Sequence, residues 1–304
     1  MLTAGERLAM ASGSSVDCVS VVITHYKSPA ALNVCLGALR GIAGLDVVVC
    51  DSEAEPGVEE LIDAVLPGAR YVGFARNVGY GALVNAGFES TKSEYVFVMN
   101  ADTTLTASAL SSLVALLDRS PEVGLVAPRL RFPDGRQQDS AFSFYRPVTV
   151  FNRRTPLGRT SQGRLDLARF RRPMALVEAG DADMVEADWV LGAAFLVRRE
   201  AIASVGPFDH RYFLYFEDVD WCLRMWRQGW RVGISTDAVC EHGLAKASEA
   251  SGLASAIRNR LFWVHVRSAV RFFAKHGLAP TRGKRARPTV TGQHTVERSD
   301  SQIS

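Results

Sequence analysis

Within its first 120 residues the chain alternates short, nearly continuous apolar runs with segments of helical periodicity, and few architectures accept that pattern. The runs are Cys18 to Thr24 (CVSVVIT), Asp46 to Cys50 (DVVVC), Tyr71 to Phe74 and Tyr95 to Asn100 (YVFVMN). Ala30 to Leu39, Val58 to Leu66, Gly81 to Ser90 and Ala107 to Arg119 place apolar residues at helical spacing. A strand that is apolar on both faces must be covered on both faces. The expected fold is therefore α/β, a mostly parallel central sheet flanked by helices. Such sheets bind ligands beyond the carboxyl ends of their strands, where the candidate residues fall.

Composition narrows the class further. Of 304 residues 47% are apolar and the formal net charge is only +3, which excludes bulk disorder and gives no sign of nucleic-acid binding. No apolar run approaches the roughly 18 residues needed to span a bilayer. Met1 to Ser15 has Arg7 but no apolar core of a signal peptide. The five cysteines lack CxxC spacing, and three lie in strand-like runs where Cys acts as a small hydrophobe. A reducing cytoplasm is the expected compartment.

Three stretches carry candidate chemistry. In Asn100-Ala101-Asp102-Thr103-Thr104, extended geometry turns residues 100 and 102 to one side, with Asp102 at the strand's carboxyl end. That placement suits an oxygen ligand for a divalent cation, or equally a cap for the following helix. Ala75-Arg76-Asn77-Val78-Gly79-Tyr80-Gly81-Ala82 joins a strand to a helix, with glycines for close approach and Arg76 as a fixed cation. It is either an anion-binding turn or a tight turn that simply needs two glycines. In Tyr212-Phe213-Leu214-Tyr215-Phe216-Glu217-Asp218-Val219-Asp220, three carboxylates within four residues follow an aromatic run and open a helical segment. Mutual repulsion and aromatic walls raise a carboxylate's pKa towards the range useful for taking a proton, while the helix dipole opposes this. The structural alternative is an acidic first turn with Asp220 paired to Arg224 four residues on. Trp189 to Arg199 reads as one buried strand, in which Gly192 and Ala193 admit either a substrate or a closely packed helix. His242 ends another apolar run.

In this order, Val21 to Tyr26, Arg76 to Gly81, Asn100 to Asp102, Trp189 to Arg199, Phe208 to Arg224 and His242 resemble the bacterial family 2 glycosyltransferases, especially their rhamnosyltransferase branch. The resemblance covers about residues 17 to 276. It implies a GT-A fold and inverting transfer from a nucleoside diphosphate sugar, dTDP-rhamnose before UDP- or GDP-sugars. The implied acceptor is a lipid-diphosphate-linked glycan in cell-envelope synthesis. Asp102, with Asn100 and His242, is the implied ligand set for Mg²⁺ or Mn²⁺, and Asn stands where relatives have a first acid. Asp218 is the implied general base with Glu217 beside it; Asp220 is the implied structural member. Thr24, Tyr26, Asp51, Arg76, Asn77, Gly79, Asn100 and Asp102 are the expected donor contacts, and Trp189, Gly192 and Glu217 the acceptor contacts. His25-Tyr26-Lys27-Ser28 and Cys50-Asp51-Ser52 depart from the usual family wording at two strand ends.

The expected organisation is a flexible segment 1–16 and a transferase domain over 17–245, divided at 128/129 into donor-binding and acceptor or catalytic halves. A C-terminal helical extension over 246–276 and a disordered basic tail, 277–304, would follow. Phe142 to Asp183, rich in arginine, reads as an irregular solvated insertion or a mobile loop meeting an anionic lipid-diphosphate. The helical extension alternates bulky apolar residues with arginine, suiting packing on the domain or contact with the inner face of the plasma membrane. Arg258 and Arg260 in it resemble family residues near the diphosphate. Two rivals stand beside the transferase. A sugar nucleotidyltransferase calls for a Gly-rich loop after the first strand, where this chain has Thr24-His25-Tyr26-Lys27-Ser28-Pro29. The other is an inactive sugar-nucleotide-binding protein.

Overall fold

The structure, a computed structural model, describes residues 18–180, 182–243 and 260–283. The expected flexible N-terminus, Arg258 and most of the basic tail lie outside the described residues. In chain order the elements are β1 (Val19–His25), α1 (Pro29–Leu39), β2 (Asp46–Asp51), α2 (Val58–Val65), β3 (Arg70–Gly73), α3 (Tyr80–Ser90) and β4 (Tyr95–Asn100). Next come β5 (Thr103–Thr104), α4 (Ala107–Arg119), β6 (Val123–Arg131), β7 (Gln137–Gln138) and β8 (Ala141–Phe142). Then follow α5 (Pro147–Arg154), a 3₁₀ turn (Pro156–Arg159), α6 (Ser161–Phe170) and α7 (Arg172–Ala179). The chain continues through β9 (Met184–Glu186), β10 (Trp189–Val190), β11 (Ala194–Arg198), α8 (Arg199–Val205), α9 (Glu217–Arg227), β12 (Arg231–His242) and α10 (Arg260–His276).

The main sheet runs β3-β2-β1-β4-β11-β6-β12-β5. Strands β3, β2, β1 and β4 are mutually parallel, β11 is antiparallel to both its neighbours, and β12 is parallel to β6. Alternation along each strand divides the core. Val22, Val48, Val96 and Val98 face one apolar layer, and Val21, Ile23, Val49, Phe97 and Met99 face the other. Helices α1 and α4 close the second face through Leu32, Leu36, Leu110 and Leu113; α3, α9 and α10 close the first through Val84, Phe88, Trp221 and Phe272. Thr106 caps α4 by accepting from the Ala109 N–H, which fixes where that helix begins.

Two expectations are corrected. Trp189 to Arg199 is not one strand: the chain leaves β10 after Val190 and re-enters the sheet as β11 at Ala194. The reason is pairing, since Trp189 and Val190 join β8 in a separate two-stranded sheet while Ala194–Arg198 joins β4. The arginine-rich 142–183 stretch is helical rather than irregular. Pro147 opens α5, Thr160 caps α6 through the Gly163 N–H, and Asp166 of α6 accepts from Thr149 and Asn152 of α5 at 2.9 and 3.0 Å.

The C-terminal helix is fastened to α9 by Asp220, whose side chain is fully buried. Its carboxylate accepts from Arg224 Nε (3.0 Å), Lys275 Nζ (2.7 Å) and His276 Nε2 (2.7 Å). Those cationic and hydrogen-bonding partners hold its pKa below the ordinary value against the opposing pull of burial.

Helix α3 sits so close to β1 that a Cβ at Gly87 would lie 2.2 Å from Val22 Cγ1. Val22 is β-branched and fully buried, so it has no rotamer to yield. Gly87→Ala is therefore expected to destabilise the fold by about 1–2 kcal/mol despite alanine's better helix propensity. Urea unfolding of the variant against the parent protein measures this, and equal or greater stability would contradict the packing.

Candidate active site

The carboxyl ends of β1 and β4 meet at one polar point. Thr24 Oγ1 donates to Asn100 Oδ1 at 3.0 Å, and the two residues are register partners. Two residues further, Asp102 lies against the end of β12: His242 Nε2 is 3.3 Å from Asp102 Oδ1, and the Gly243 N–H donates to the Asp102 carbonyl at 2.7 Å. The ladder pairing of His242 with Thr103 imposes this closeness. Behind the imidazole, Nδ1 is 2.9 Å from Gln138 Oε1, an acceptor. Nδ1–H donating there leaves Nε2 as the ring nitrogen on the Asp102 side. A carboxylate oxygen and an imidazole nitrogen 3.3 Å apart are donor types that would suit a divalent cation. Among the described residues no group of three or more His, Cys, Asp or Glu forms a fuller cage. The pair fits the implied Mg²⁺ or Mn²⁺ as a partial ligand set.

The acidic motif is presented by a strained turn. Tyr215 and Phe216 both adopt left-handed backbone geometry (φ 67° and 66°), and Glu217 opens α9 directly after them. Such conformations cost about 1–3 kcal/mol each for residues with side chains. The Phe216 ring offsets part of this by burial against Tyr145, His265 and Phe272, with centroids 4.9, 5.3 and 5.3 Å away. His265 is itself buried beside Arg154 and Arg153; burial first and those charges second push its imidazole down to about 3, so it stays neutral.

Asp218 is partly open to solvent. Its Oδ2 accepts from the Gly192 N–H at 3.3 Å and Oδ1 from the Val219 N–H at 2.9 Å. Burial pushes its pKa up to about 6, with those two N–H groups pulling the other way. Glu217 is more deeply enclosed, and its Oε2 has no hydrogen-bond partner among the described residues. Burial, and then the adjoining Asp218, hold its carboxyl well above the usual range. Tyr80 completes this group. Its hydroxyl donates to the Gly192 carbonyl, and burial first, with the neighbouring Glu217 and Asp218 carboxyl groups second, keeps the phenol protonated.

Gly192 and Ala193 join the two halves of the site. The Gly192 N–H reaches Asp218, while the Ala193 carbonyl accepts from the Asn100 N–H (2.9 Å) and Thr103 Oγ1 (3.3 Å). Asp218 and the Asn100–Thr103 segment that carries Asp102, distant in sequence, are thus linked through one two-residue bridge, and His242 joins through its pairing with that segment.

Other expected contacts occupy more varied positions. Asp51 is fully buried, with Oδ1 2.7 Å from His25 Nδ1 and Oδ2 accepting from the Tyr71 hydroxyl at 3.0 Å. His25 Nε2 accepts from the Ser28 N–H, so Nδ1 carries the proton and Asp51 orders the loop after β1. Asn77 Oδ1 accepts from Ser52 Oγ and the Gly79 N–H. A Cβ on Gly79 (φ 82°) would fall 2.2 Å from the Phe213 carbonyl, so packing alone requires that glycine. Arg76 and Tyr26 are exposed at the rim. Trp189 is buried, stacked on Phe142 at 4.6 Å with its indole N–H on the Ser143 carbonyl. Asp220 pairs with Arg224 as expected and also holds α10. Tyr80 and Gln138 were not among the expected site residues. Tyr80 lay within a motif already singled out, but Gln138 has no local signal at all.

A family model described as "Glycosyltransferase like family 2" matches residues 17–265. The chain belongs to this family. It is 29% identical over 206 residues to the N-acetylglucosaminyl-diphospho-decaprenol L-rhamnosyltransferase of Mycobacterium tuberculosis, a match covering 61% of this chain and 62% of that relative. The chain thus spans about three fifths of that relative's length. Among solved structures, GalNAc-T7 with UDP, GalNAc and Mn²⁺ is similar with a TM-score of 0.57 at 12% identity, covering 90% of this chain and 57% of that one. The mannosyltransferase PcManGT of Pyrobaculum calidifontis with GDP-Man and Mn²⁺ gives 0.52 at 18% identity, covering 83% and 64%. The fold expected from the motifs, GT-A, is the fold observed.

The raised Asp218 pKa has a thermodynamic sign. An unfolded Asp loses its proton near pH 4 and the folded one near 6, so the folded state binds more protons in between. That contribution to stability is complete below about pH 4 and is lost as pH rises through about 6. Asp218→Asn removes it, so the variant's stability relative to the parent is expected to improve by on the order of 1–3 kcal/mol between pH 4 and 7. Chemical denaturation at both pH values checks this; a difference independent of pH would refute it.

Proposed function

We propose that the protein is an inverting, metal-dependent glycosyltransferase acting on a nucleoside diphosphate sugar, with L-rhamnose from dTDP-rhamnose as the donor sugar. The acceptor is a hydroxyl of a lipid-diphosphate-linked glycan in cell-envelope glycan synthesis. What supports the reading is the Gly192–Ala193 bridge, which bonds Asp218 on one side and, on the other, the strand end that carries Asp102, itself paired with His242. Sugar and acceptor rest on the name of the mycobacterial relative. Peripheral contact with the inner face of the plasma membrane follows from a lipid-borne acceptor. No helix among the described residues is long and apolar enough to cross a membrane.

Charge accounting gives the residues their roles. The acceptor hydroxyl must lose a proton as it attacks the anomeric carbon. Asp218, poised near pH 6 and partly open to solvent, takes that proton. Glu217, held protonated beside Asp218, shapes the acceptor side from within without adding a second negative charge. Tyr80, by holding the Gly192 carbonyl, keeps the Gly192 N–H aimed at Asp218. Asp102 and His242, with Asn100 beside them, would hold Mg²⁺ or Mn²⁺. When bound, the ion would supply positive charge against the diphosphate charge that grows as the nucleotide leaves. Thr24, Tyr26, Asn77, Gly79 and the exposed Arg76 border the donor side, Arg76 supplying charge to the same phosphates. Asp51 supports this edge through His25, and Trp189 forms the apolar floor of the acceptor side. A single displacement from the face opposite the leaving group inverts the anomeric centre.

Asp218→Asn is expected to lower turnover by roughly 10²–10⁴-fold, the scale of a lost general base, while donor binding persists. Asp102→Ala is expected to abolish the Mn²⁺-dependent part of donor binding. A transfer assay with lipid-linked acceptor and calorimetry with dTDP and Mn²⁺ test the pair. Full turnover in the first variant, or unchanged affinity in the second, would overturn the assignment.

A further inference from the structure

Helices α5 and α6, with the 3₁₀ turn between them, form a unit whose apolar side chains point the wrong way for a soluble surface. Val148 and Phe151 of α5, Leu157 of the turn and Leu165 of α6 are all at least half exposed, Phe151 and Leu165 at 64% and 66%. These are four of the eleven large apolar side chains exposed among the described residues, gathered into 18 positions. Monomeric surfaces rarely collect apolar groups in this way without a partner.

The interior of the unit explains why they face outward. Its two helices are joined by polar groups, with Asp166 accepting from Thr149 and Asn152. Its glycines are closed by backbone: a Cβ at Gly158 would lie 2.3 Å from the Asn152 carbonyl, and one at Gly163 only 2.1 Å from the Leu157 carbonyl. Backbone packs closely at both glycines, while Leu157 and Leu165 lie on the exposed side. On α5, Val148 and Phe151 share one face while Thr149 and Asn152 take the buried one.

Charge identifies the partner. Residues 146 to 172 contain eight arginines and a single acid, Asp166, whose carboxylate is turned inward. Arg153, Arg154, Arg159 and Arg164 are exposed around the apolar side chains. Apolar groups within a ring of guanidinium groups match the boundary of an anionic bilayer, where hydrocarbon lies beneath a layer of phosphates. A second copy of this unit would set arginines against arginines. We infer that the α5–α6 unit docks the protein on an anionic phospholipid bilayer, with Phe151 and Leu165 entering the headgroup region and the arginines meeting lipid phosphates.

The unit also adjoins the site. Arg153 donates to the Tyr145 hydroxyl and lies over the Phe142, Tyr145 and Phe170 rings, and Tyr145 stacks against Phe216 at the start of α9. Docking there would bring the bilayer surface beside Asp218. The inference deepens the reading of a lipid-borne acceptor, and rests on it for the purpose that docking serves.

The test is flotation of the full chain with vesicles of phosphatidylglycerol mixed with phosphatidylcholine, against phosphatidylcholine alone. No acceptor or donor is present. Binding is expected to the anionic vesicles and to weaken as salt is raised. The double variant Phe151→Ser/Leu165→Ser should reduce partitioning at least about tenfold, the scale of burying one large apolar side chain. Arg159→Glu/Arg164→Glu should reduce it by roughly fivefold or more per arginine. All these side chains are exposed, so circular dichroism and Mn²⁺-dependent dTDP binding should match the parent. Four results would overturn the inference: no vesicle binding, binding indifferent to the double variant, binding removed instead by Trp263→Ser on α10, or a concentration-dependent dimer lost with Phe151→Ser. Failed docking with intact dTDP binding would refute only this inference. Intact docking with no nucleotide binding would refute the transferase reading.

Discussion

The backbone of a single glycine sets the geometry on which the rest of the site depends. Because β10 ends at Val190 and β11 begins at Ala194, Gly192 lies between strands and its N–H and C=O are available to other partners. The N–H goes to Asp218 and the carbonyl to Tyr80, so the peptide groups on the two sides of this residue are held from the α9 side and the α3 side at once. A Cβ at 192 would lie 2.9 Å from the Tyr80 hydroxyl, which is why the position is glycine. With that residue fixed, the neighbouring Ala193 carbonyl holds the end of β4, and with it Asp102.

Around this glycine the protein maintains unfavourable groups. Two consecutive left-handed residues, a carboxyl with an unpartnered oxygen and a second carboxyl raised by burial all sit within Tyr215 to Asp218. None would persist alone. They are held by the rings of Tyr145, Phe216 and Phe272 on one side and by the Asp220 ion cluster on the other. Concentrated strain beside concentrated support is the usual sign of a site shaped for chemistry rather than stability.

Much of this was legible in the sequence, for reasons that differ by element. β4 and α4 occur at the expected bounds because a continuous apolar run and a threonine-capped amphipathic helix are local signals. Asp102 and His242 were legible one at a time as residues at strand ends, but their closeness comes from pairing of Thr103 with His242, which no local pattern encodes. Helix α5 was hidden because its buried residues are Thr149 and Asn152, whose partner Asp166 is 14 to 17 residues away, so no apolar stripe marks it. The break inside Trp189 to Arg199 was hidden for a related reason: both parts are apolar, and only their different strand partners separate them. Tyr80 acquires its role from a carbonyl 112 residues distant.

The clamp at Asp220 also sets a limit on how the chain can be handled. Its carboxylate is sealed in the interior and draws two of its partners, Lys275 and His276, from the last turn of α10. Trimming the polypeptide ahead of those residues would strand an anion with only Arg224 and a long contact to Tyr212, on the same helix that presents Asp218. Any shortened version meant for crystals or assays therefore has to keep the chain at least through Gly277.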